Sequence, residues 1–575
     1  MAAQQEKTHG RVGLLRLTTF AAGIAAAWWS LQAGAFSAWW LLGPLGLFIG
    51  LVVYHARVRG RMSRARCAAG FYRGGLARIE DRWSGAGQFG DRFADAHHVY
   101  AADLDLFGKG SLFELLCAAR TRMGETALAE RLLAPAGAAE IRNRQAAARE
   151  LRERLDLREA WAVIGGDERV AVQPDALRQW AEAPNRLSRH WIPWAAWSIP
   201  VFVTAAAALW IVTGVASPFV LALLVAAGFM RSLRTPVLEI LHGIENGSGD
   251  MNLLTALTAR IESESFEAAQ LRDYAGLLSR GLHASQALTR LTTIVQLSES
   301  RENPILKLLN IPLAYAVHVA LAAEHWRRAH GRQVGAWLEA IGDFEALLSV
   351  AGYSYEHPDD PYPELVDGPA SFAGIGLGHP LMPQGRCVPN DVGMEGQIRV
   401  LLISGSNMSG KSTLLRTVGV NTVLAMAGAP VRARRLCLTP LQVGASIRIN
   451  DSLHEGSSRF YAEITRLRQL QELSGRNPPL LFLLDELLQG TNSKDRRIGA
   501  EGIVRSYVDR GAIGLVTTHD LSLTEMAAEQ DRRLRNLHFQ EELEHGRMKF
   551  DFKLHDGVVT KSNGLELMRS IGLDV

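Results

Sequence analysis

The most apolar parts of the chain are two long segments in its N-terminal half. Residues 17–54 and residues 191–230 contain no Asp, Glu, Lys or Arg. Each segment is about twice as long as the roughly 20 residues that one membrane helix needs. A reversal at residues 32–34 divides the first segment, and a reversal at residues 214–218 divides the second. The pattern therefore predicts two transmembrane helical hairpins.

The residues around these segments predict their orientation. Tryptophans such as Trp28, Trp39 and Trp210 suit the membrane interface. Both turns are uncharged, whereas arginines flank the outer ends, namely Arg11, Arg16, Arg57, Arg59, Arg61, Arg64, Arg66, Arg186, Arg189, Arg231 and Arg234. By the positive-inside rule, both termini and every polar domain are expected in the cytoplasm. The chain is thus predicted to be a multi-pass protein of the inner (cytoplasmic) membrane.

Two alternatives to these hairpins remain open. The first apolar segment follows a basic start, as a cleaved signal peptide does, although a second apolar span comes directly after it. The second segment is also compatible with a buried helical hairpin of a soluble core, given its alanines and Pro193, Pro200 and Pro218.

The polar parts of the chain change character near residue 395. Residues 103–160 and 250–300 carry apolar positions at three-to-four spacing, which predicts helices. From about residue 395, short apolar strands alternate with helices, as in a parallel α/β sheet. Residues 353–383 are rich in proline and separate the two parts.

A glycine-rich loop follows the first of these strands, in the sequence VLLISGSNMSGKSTLL. Its spacing is that of a phosphate-binding loop, whose backbone N–H groups surround a β-phosphate. Lys411 is expected to reach the β/γ-oxygens of ATP, and the Ser412 hydroxyl is expected to ligate Mg²⁺. Residues 400–404 are predicted as the preceding strand and residues 413–423 as the following helix. The expected nucleotide contacts are Gly405, Ser406, Asn407, Met408, Ser409, Gly410, Lys411, Ser412 and Thr413.

Two more apolar strands end in residues suited to ATP hydrolysis. The sequence LLFLLDE ends in Asp485, expected to bind the metal with Ser412, and Glu486, expected to orient or activate water. Adjacent acids after five apolar residues are costly unless ions or ligands meet them. The sequence LVTTHD contains His519, expected to sense the γ-phosphate. Glu486 and His519 are therefore the predicted catalytic residues of a magnesium-dependent ATPase that releases ADP and phosphate.

Between these strands, residues 451–463 read DSLHEGSSRFYAE, a glycine and serine turn that opens a helix. The N–H groups at a helix start and the nearby hydroxyls suit a phosphate. One subunit's ATP is already surrounded by the loop and the acids, so this turn is expected to face the ATP of a partner. The sequence thus predicts a homodimer that encloses two nucleotides, as in ABC-type ATPases.

Composition sets limits without naming a partner. The net charge of +3 supports no strong inference about nucleic acid or a membrane surface. The four cysteines are far apart and form no CxxC pair. A reducing compartment without structural zinc is the expectation.

In order and spacing, the motifs resemble the ATPase domain of the MutS mismatch-repair family. The matching stretches are GSNMSGKST, DSLHEGSSRF, LLDELLQGTNSKD, TTHD and the closing NLHFQEELEHGRMKFDFKLHDGVVTKSNGLELMRSIGL. Residues 110–151 are similar to the start of the MutS helical core. The resemblance implies that Ser458 contacts the partner's ATP, and it supports the roles given above to the loop, the acids and His519.

Three departures from the family pattern bear on function. Glu455 stands where a serine usually precedes the glycine of the turn, and Cys387 stands where many members have an aromatic residue near adenine. The N-terminal mismatch-reading domain with its Phe-x-Glu wedge has no counterpart. The resemblance therefore indicates a membrane-tethered MutS relative without the mismatch-reading domain.

The predicted architecture is an α/β C-terminal domain of the P-loop nucleoside triphosphatase class (ABC-type, MutS-like), preceded by an all-α core with two membrane hairpins. The domains are residues 1–66 with spans at about 17–33 and 36–54, 67–190 as the first part of the helical core, 191–230 as the second hairpin, 231–352 as the second part of the core, 353–394 as a linker and lead-in, and 395–575 as the ATPase domain.

The leading functional hypothesis is a dimeric, ATP-driven clamp that binds DNA and is related to mismatch repair. Arginines of the helical core are expected to contact phosphates, which gives salt-sensitive DNA binding with little mismatch preference: Arg142, Arg144, Arg149, Arg152 and Arg154. The alternative is an ABC-type ATPase for membrane transport or remodelling, although the apolar segments contain no charged residue. A third hypothesis is a scaffold that binds ATP without turnover.

Overall fold

The computed structural model describes residues 2–33, 38–164, 174–247, 251–406, 409–448, 459–519, 523–525, 531–544 and 547–559. Within these ranges the chain is helical up to residue 356 and α/β beyond it. This division confirms the coarse fold class predicted from the sequence.

The chain begins with two long helices, α1 (Ala2–Ala33) and α2 (Leu42–Ile79), which pack against each other. Phe20 of α1 and Phe48 of α2 approach to 5.6 Å between ring centroids. At the far end of α2, Tyr72 donates a hydrogen bond of 2.5 Å to Glu159, and Arg78 forms an ion pair of 2.5 Å with Glu356. The helix pair is thus anchored to the helical core at one end.

The first part of the helical core consists of α3 (Leu112–Leu116), α4 (Arg122–Leu133), α5 (Ala138–Glu153), α6 (Leu155–Val163) and α7 (Pro174–Glu182). The apolar hairpin follows as α8 (Trp191–Thr213) and α9 (Ser217–Ser232), with the turn where the sequence predicts it. The core then resumes with α10 (Arg234–Gly247), α11 (Met251–Glu262), α12 (Ala269–Leu278) and α13 (Ala284–Ser300).

The structure does not show the two predicted membrane hairpins. Among the described residues, α8 is the one helix that is by itself long and apolar enough to cross a bilayer. Two pairs of helices that meet at a bend are long and apolar enough only when each pair is counted as one span. One pair is α9 with α10, and the other is described in the next paragraph. In the described part of the chain, neither α1 nor α2 is long and apolar enough by the same test.

The second bent pair is α14 (Pro304–Leu313) followed by α15 (Tyr315–Glu356), with an angle of 81° between them. Ala314 makes the corner with a φ of 46°, a backbone conformation that is uncommon for a residue with a Cβ. α15 has 42 residues and runs through the helical core to the α/β domain. Near its end, Tyr353 donates a hydrogen bond of 3.1 Å to Asp360, which pairs with Arg432.

The α/β domain contains two sheets. Its elements are β1 (Glu364–Leu365), β2 (Phe372–Leu377), β3 (Asn390–Met394), β4 (Val400–Ser404), α16 (Lys411–Ala427), β5 (Arg435–Leu438), β6 (Gln442–Ser446), α17 (Arg459–Leu473), β7 (Leu480–Asp485), α18 (Ser493–Asp509), β8 (Ile513–Thr518), β9 (Leu534–Glu544) and β10 (Arg547–Asp556). The smaller sheet has the order β1-β5-β2-β3. The stretch interpreted as a linker and lead-in, residues 353–394, thus supplies three of its strands, because the prolines lie between strands.

The larger sheet has the order β10-β9-β4-β8-β7-β6, with β9 to β6 parallel and β10 antiparallel. In its register, Ser404 pairs with Thr518 and Asp485 with Thr517. The carboxyl ends of β4, β8 and β7 therefore meet at one edge, where open parallel sheets bind ligands.

A segment before α3 joins the helical core to the α/β domain. The Asp103 carboxylate accepts hydrogen bonds from the backbone N–H groups of Ile447 (2.8 Å) and Arg448 (2.6 Å). The Arg416 guanidinium on α16 donates to the Asp103 carbonyl at 3.0 Å. Leu104 is fully buried in the core that contains α16. The core therefore contacts the helix that begins at the phosphate-binding loop.

Candidate functional site

The glycine-rich loop lies between β4 and α16, as the sequence predicts. Gly410 precedes the helix with a φ of 103°, a left-handed conformation that favours glycine. A Cβ at this position would also lie 3.3 Å from the Phe552 ring. Asn407 and Met408, two of the predicted nucleotide contacts, lie outside the described residues. The loop delivers Lys411 to the first turn of α16.

Lys411 is buried with its ammonium inside the loop. Its Nζ donates to the carbonyl oxygens of Gly405 and Ser406, both at 2.8 Å, and lies 3.8 Å from the Glu486 carboxylate. Burial lowers the pKa of Lys411, and the nearby carboxylates of Glu486 and Asp485 oppose that effect. The geometry places one cation where a phosphate-binding loop meets β/γ-oxygens.

The predicted metal ligands lie side by side at the end of β7. Ser412 Oγ donates to Asp485 Oδ2 at 2.5 Å, and Thr517 donates to the other carboxylate oxygen. Hydroxyl and carboxylate oxygens are hard donors, and Mg²⁺ in nucleotide sites uses one or two protein groups together with phosphates and water. This pair therefore fits Mg²⁺. The described residues contain no cluster of three or more His, Cys, Asp or Glu side chains able to hold a metal alone.

Glu486 and His519 meet next to this pair. His519 Nδ1 lies 3.4 Å from the Glu486 carboxylate, which also accepts a hydrogen bond from the Gln489 side chain. Glu486 has a φ of 51°, and its backbone N–H donates to the Thr517 carbonyl at 3.2 Å. Backbone strain of this kind concentrates at functional sites. The strained turn directs the carboxylate away from β7 and towards the loop.

A cavity of about 330 Å³ adjoins the loop. Apart from Lys411, Glu486 and other loop residues, its lining is largely apolar and includes Leu377, Met382, Cys387, Val388, Phe539 and Phe552. Cys387 lines the cavity, where the resemblance places the adenine. A cavity that combines apolar residues with the cations Lys411 and Arg386 suits a nucleotide.

Sequence reasoning missed the two phenylalanines of this cavity. Phe552 lies in β10 at a register shift between Phe550 and Leu554, with a φ of 54°. Asn390 holds this bulge because its side chain donates to the Phe552 carbonyl at 3.0 Å and accepts from the Leu554 N–H at 2.8 Å. The alternating aromatic residues of MKFDFKL were the available signal, but a bulge that redirects one side chain is not visible in a sequence.

His379 is buried between the cavity and α16. Its Nδ1 accepts a hydrogen bond of 3.2 Å from the Leu381 N–H. Burial lowers the pKa of His379 to about 4, and the Arg416 charge acts in the same direction. The imidazole is therefore neutral at physiological pH.

The structure brings most of the predicted site together. The assembled residues are Gly405, Ser406, Ser409, Gly410, Lys411, Ser412, Thr413, Asp485, Glu486 and His519. Ser458, predicted to act on the partner's ATP, and Glu455 lie outside the described residues.

The five core arginines predicted to contact DNA all have partners within the chain. Arg142 donates to the Leu365 carbonyl at 3.2 Å, and the Arg149 guanidinium lies 4.4 Å from the centre of the Tyr362 ring. The other three pair with glutamates, namely Arg144 with Glu140, Arg152 with Glu153 and Arg154 with Glu150. Arg142 and Arg149 are nevertheless exposed, so contact of these arginines with DNA phosphates stays a prediction.

Comparison with known proteins identifies the α/β domain. Residues 401–574 match the family model of MutS domain V. The protein named endonuclease MutS2 of Thermus thermophilus is 34% identical over 196 residues, which cover 34% of this chain and 25% of the relative. The DNA mismatch repair protein MutS of Methanosarcina barkeri is 30% identical over 253 residues, covering 43% of this chain and 28% of the relative. The matched part thus spans about a quarter of the length of these curated relatives.

Proposed function

Since the C-terminal part of this chain belongs to the MutS family, with MutS domain V at residues 401–574, we propose that the chain is a magnesium-dependent ATPase of the MutS type. The observation that carries this proposal is the assembly of Lys411, Ser412, Asp485 and Glu486 at one sheet edge. A phosphate-binding cation, a pair of metal-ligating oxygens and a second carboxylate are the parts that ATP hydrolysis needs.

Each residue has a distinct role in this proposal. Lys411 binds the β/γ-phosphate oxygens, and Ser412 with Asp485 holds Mg²⁺. When bound, Mg²⁺ neutralises charge on the phosphates. Glu486 orients the attacking water and accepts its proton. His519 Nδ1 lies 3.4 Å from the Glu486 carboxylate, and in this proposal it positions that carboxylate and contacts the γ-phosphate.

The apolar part of the cavity is assigned to the base. Phe552 lies beside Gly410 at the end of the loop and offers its ring to adenine, while Met382 and Cys387 line the same cavity. Stacking of a base on an aromatic ring is worth about 1–3 kcal/mol. Base stacking is thus supplied from β10 rather than from the Cys387 position.

The membrane assignment rests on the surface of the apolar helices. Large apolar side chains of α1 and α8 are widely exposed, including Trp28 at 65%, Trp194 at 81% and Ile211 at 83%. Soluble monomers rarely expose contiguous apolar surface of this extent. We therefore keep the proposal of membrane hairpins, with the ATPase domain in the cytoplasm.

We also propose DNA binding, supported by the similarity to a DNA mismatch repair protein, and dimerisation, supported by the glycine and serine turn at residues 451–463 that the sequence assigns to a partner's ATP. In the proposed dimer, Ser458 of each subunit contacts the ATP of the other, and ATP switches a helical clamp around DNA. The similarity to MutS relatives favours this function over transport or membrane remodelling.

Two variants of the detergent-purified protein test the ATPase. Lys411→Ala should weaken ATP binding by roughly 1.5–3 kcal/mol, because a charge-assisted phosphate contact is lost. Glu486→Gln should keep ATP binding and stop turnover, because only the base is removed. Glu472→Gln, on the exposed side of α17, is the matched control and should behave as wild type. Equal affinity and equal turnover in all three proteins would refute the assignment.

A mixing experiment tests the shared site. Ser458→Ala chains mixed with Lys411→Ala chains should recover part of the activity, because a heterodimer keeps one of its two composite sites intact. If subunits demonstrably exchange and the mixture never exceeds the sum of the separate activities, the contact across the dimer is wrong.

A further inference from the structure

The short helix α14 presents an apolar face that nothing in the described structure covers. It has no buried residue, and Ile305 and Leu308 are 69% and 79% exposed. Ile305, Leu308, Leu309 and Pro312 follow the spacing i, i+3, i+4, i+7, which places them on one side of the helix. Lys307 points away from this stripe and pairs with Glu302 at 2.8 Å. α14 is thus amphipathic, with its apolar side outward.

The orientation of α14 is fixed at both ends. Asn303 caps the helix by accepting a hydrogen bond of 3.0 Å from the Ile305 N–H. The Asn310 side chain accepts one of 3.0 Å from the Ala316 N–H, beyond the Ala314 corner. The outward apolar stripe is therefore held in place and is not the product of a loose segment.

α14 lies at the level of the tryptophans of α8. His318, one turn into α15, contacts the Ala196 carbonyl at 3.1 Å, and its ring lies 4.7 Å from that of Trp197. Trp194 and Trp197 are 81% and 70% exposed and lie within about 10 Å of the start of α8. Tryptophan is enriched at the membrane interface. The corner between α14 and α15 therefore lies at the depth where the bilayer surface is expected.

The charged residues near this corner are consistent with its placement at the bilayer surface. Exposed arginines lie at the same end of the hairpin, namely Arg189, Arg231 and Arg234. Cationic groups at this end of an apolar hairpin match phosphate head groups above acyl chains. A second copy of this chain explains the arginines less well, because like charges would meet across a two-fold contact.

We propose that α14 is an interfacial helix that lies in the plane of the bilayer and inserts Ile305, Leu308 and Leu309 among the lipid chains. This inference rests on the proposed membrane placement of α8. It adds a contact that the sequence pattern did not reveal, because residues 304–313 are too few to span a membrane. α15 leaves α14 at 81° and carries the connection towards the α/β domain.

The test is photo-crosslinking of the full chain in nanodiscs that contain phosphatidylcholine and phosphatidylglycerol. A p-benzoylphenylalanine probe replaces Leu308 or, in a second variant, Ile305. Lys307→p-benzoylphenylalanine is the matched control off the apolar stripe. Phe202→p-benzoylphenylalanine, at a 69% exposed position in the middle of α8, reports on the span itself. Elution volume and ATP turnover check that each variant is folded.

Lipid adducts, measured by mass spectrometry, should form at positions 308, 305 and 202. The yield at each of these positions should be at least roughly three times the yield at position 307. Adducts at 202 without adducts at 308 and 305 would overturn the interfacial helix and leave the span intact. Crosslinks from 308 to a second copy would also overturn it, in favour of a dimer contact. Absence of lipid adducts at all four positions would refute the membrane placement itself.

Discussion

Two apolar helices of this protein have opposite surroundings. In α16, 14 of the 17 residues are buried, including Val420 and Leu415, because sheet strands and the helical core cover it from several sides. In α8, only four of the 23 residues are buried, namely Ile192, Ala196, Ile199 and Val203. Both helices would look like core from composition alone. What separates them is the presence of partners, which a single sequence does not show.

The contrast has a physical meaning. The apolar surface of α16 is removed from water by the fold, which contributes directly to stability. Most of the apolar surface of α8 stays exposed in the described fold, although Trp210 packs on Phe219 of α9, so burial contributes less to the stability of this helix. Substitutions that carry a charge into each helix therefore measure two different environments.

The largest expected effect comes from a matched pair of valines. Val420→Asp places an unpaired carboxylate in the core and should destabilise the α/β domain by more than about 4 kcal/mol. Val201→Asp, at a 67% exposed position of α8, leaves that core unchanged and should alter the stability of the α/β domain by less than about 0.5 kcal/mol. Thermal unfolding of both purified variants measures the difference.

The same Val201→Asp variant distinguishes a bilayer from water. In a membrane, the carboxylate near the middle of α8 should cost about 2.5–3.5 kcal/mol and reduce the membrane-inserted fraction in cells. Unchanged membrane association of this variant would show that α8 faces water or protein, and the contrast with α16 would lose its explanation.

A smaller effect is expected at Glu345, in the core that packs beside both helices. Its buried carboxylate accepts hydrogen bonds from Thr121 Oγ1 (2.5 Å), Trp161 Nε1 (3.0 Å) and the Arg120 N–H (3.1 Å). Burial raises the pKa of Glu345, and these donors oppose that effect. Glu345→Ala should destabilise the core by about 3 kcal/mol, because buried donors are left unsatisfied.

Glu339→Ala is the control for that change, since Glu339 is on the same helix and largely exposed. It should lower the free energy of unfolding by less than about 0.5 kcal/mol, so the midpoint of thermal unfolding should change little. Comparable losses in the two variants would mean that the hydrogen bonds to Glu345 contribute no more than a surface ion pair.

Lowering the pH should reduce the stability of the protein through His379, which is buried next to α16. The pKa of His379 is about 4 in the folded protein and near 6.5 when unfolded, so only the unfolded state binds this proton between those values. Stability contributed by the neutral imidazole is present above pH 6.5 and is lost as pH falls towards 4. From pH 6.5 to 5 the loss should be about 1.6 kcal/mol.

This loss should be smaller in His379→Gln than in wild type, as measured by thermal unfolding at several pH values. The exposed His97→Gln is the control and should retain the wild-type pH profile. An identical profile in His379→Gln would contradict the assignment of the effect to this imidazole.

The smallest expected effect is that of salt on membrane association. Salt screens surface charge but does not weaken apolar burial in lipid, so washing membranes with about 1 M NaCl should release almost none of the protein. Release by salt alone would mean that charge, and not the exposed apolar surface of α8, holds the protein at the membrane.

Local patterns in the sequence were sufficient for the nucleotide loop and its strands. β4 is Val400–Ser404 as predicted, and β7 and β8 end next to the acidic pair and His519. These elements are specified by adjacent residues, because buried parallel strands are continuous apolar runs and the loop needs glycine at fixed positions.

Features that depend on distant partners were not predictable in the same way. Phe552 reaches the nucleotide cavity only because Asn390, 162 residues earlier, supports a bulge in β10. The sequence likewise did not show that the core arginines contact glutamates and carbonyl groups within the chain. The sequence did not reveal α14 as a membrane contact because its ten residues are apolar but too few to span a bilayer. The exposure of α14 also depends on how α8, α9 and α15 pack.

Because α15 is long, a small rotation at one of its ends displaces the other end. At 1.5 Å per residue its 42 residues measure about 63 Å, with the α14 corner at one end and contacts to the α/β domain at the other. A tilt of about 1° around one end of such a rod displaces the other end by about 1 Å. In the proposed membrane-bound ATPase, a rotation of this size at the nucleotide end of α15 would displace the α14 corner by about 1 Å, and a displacement of that corner would rotate α15 at the α/β domain.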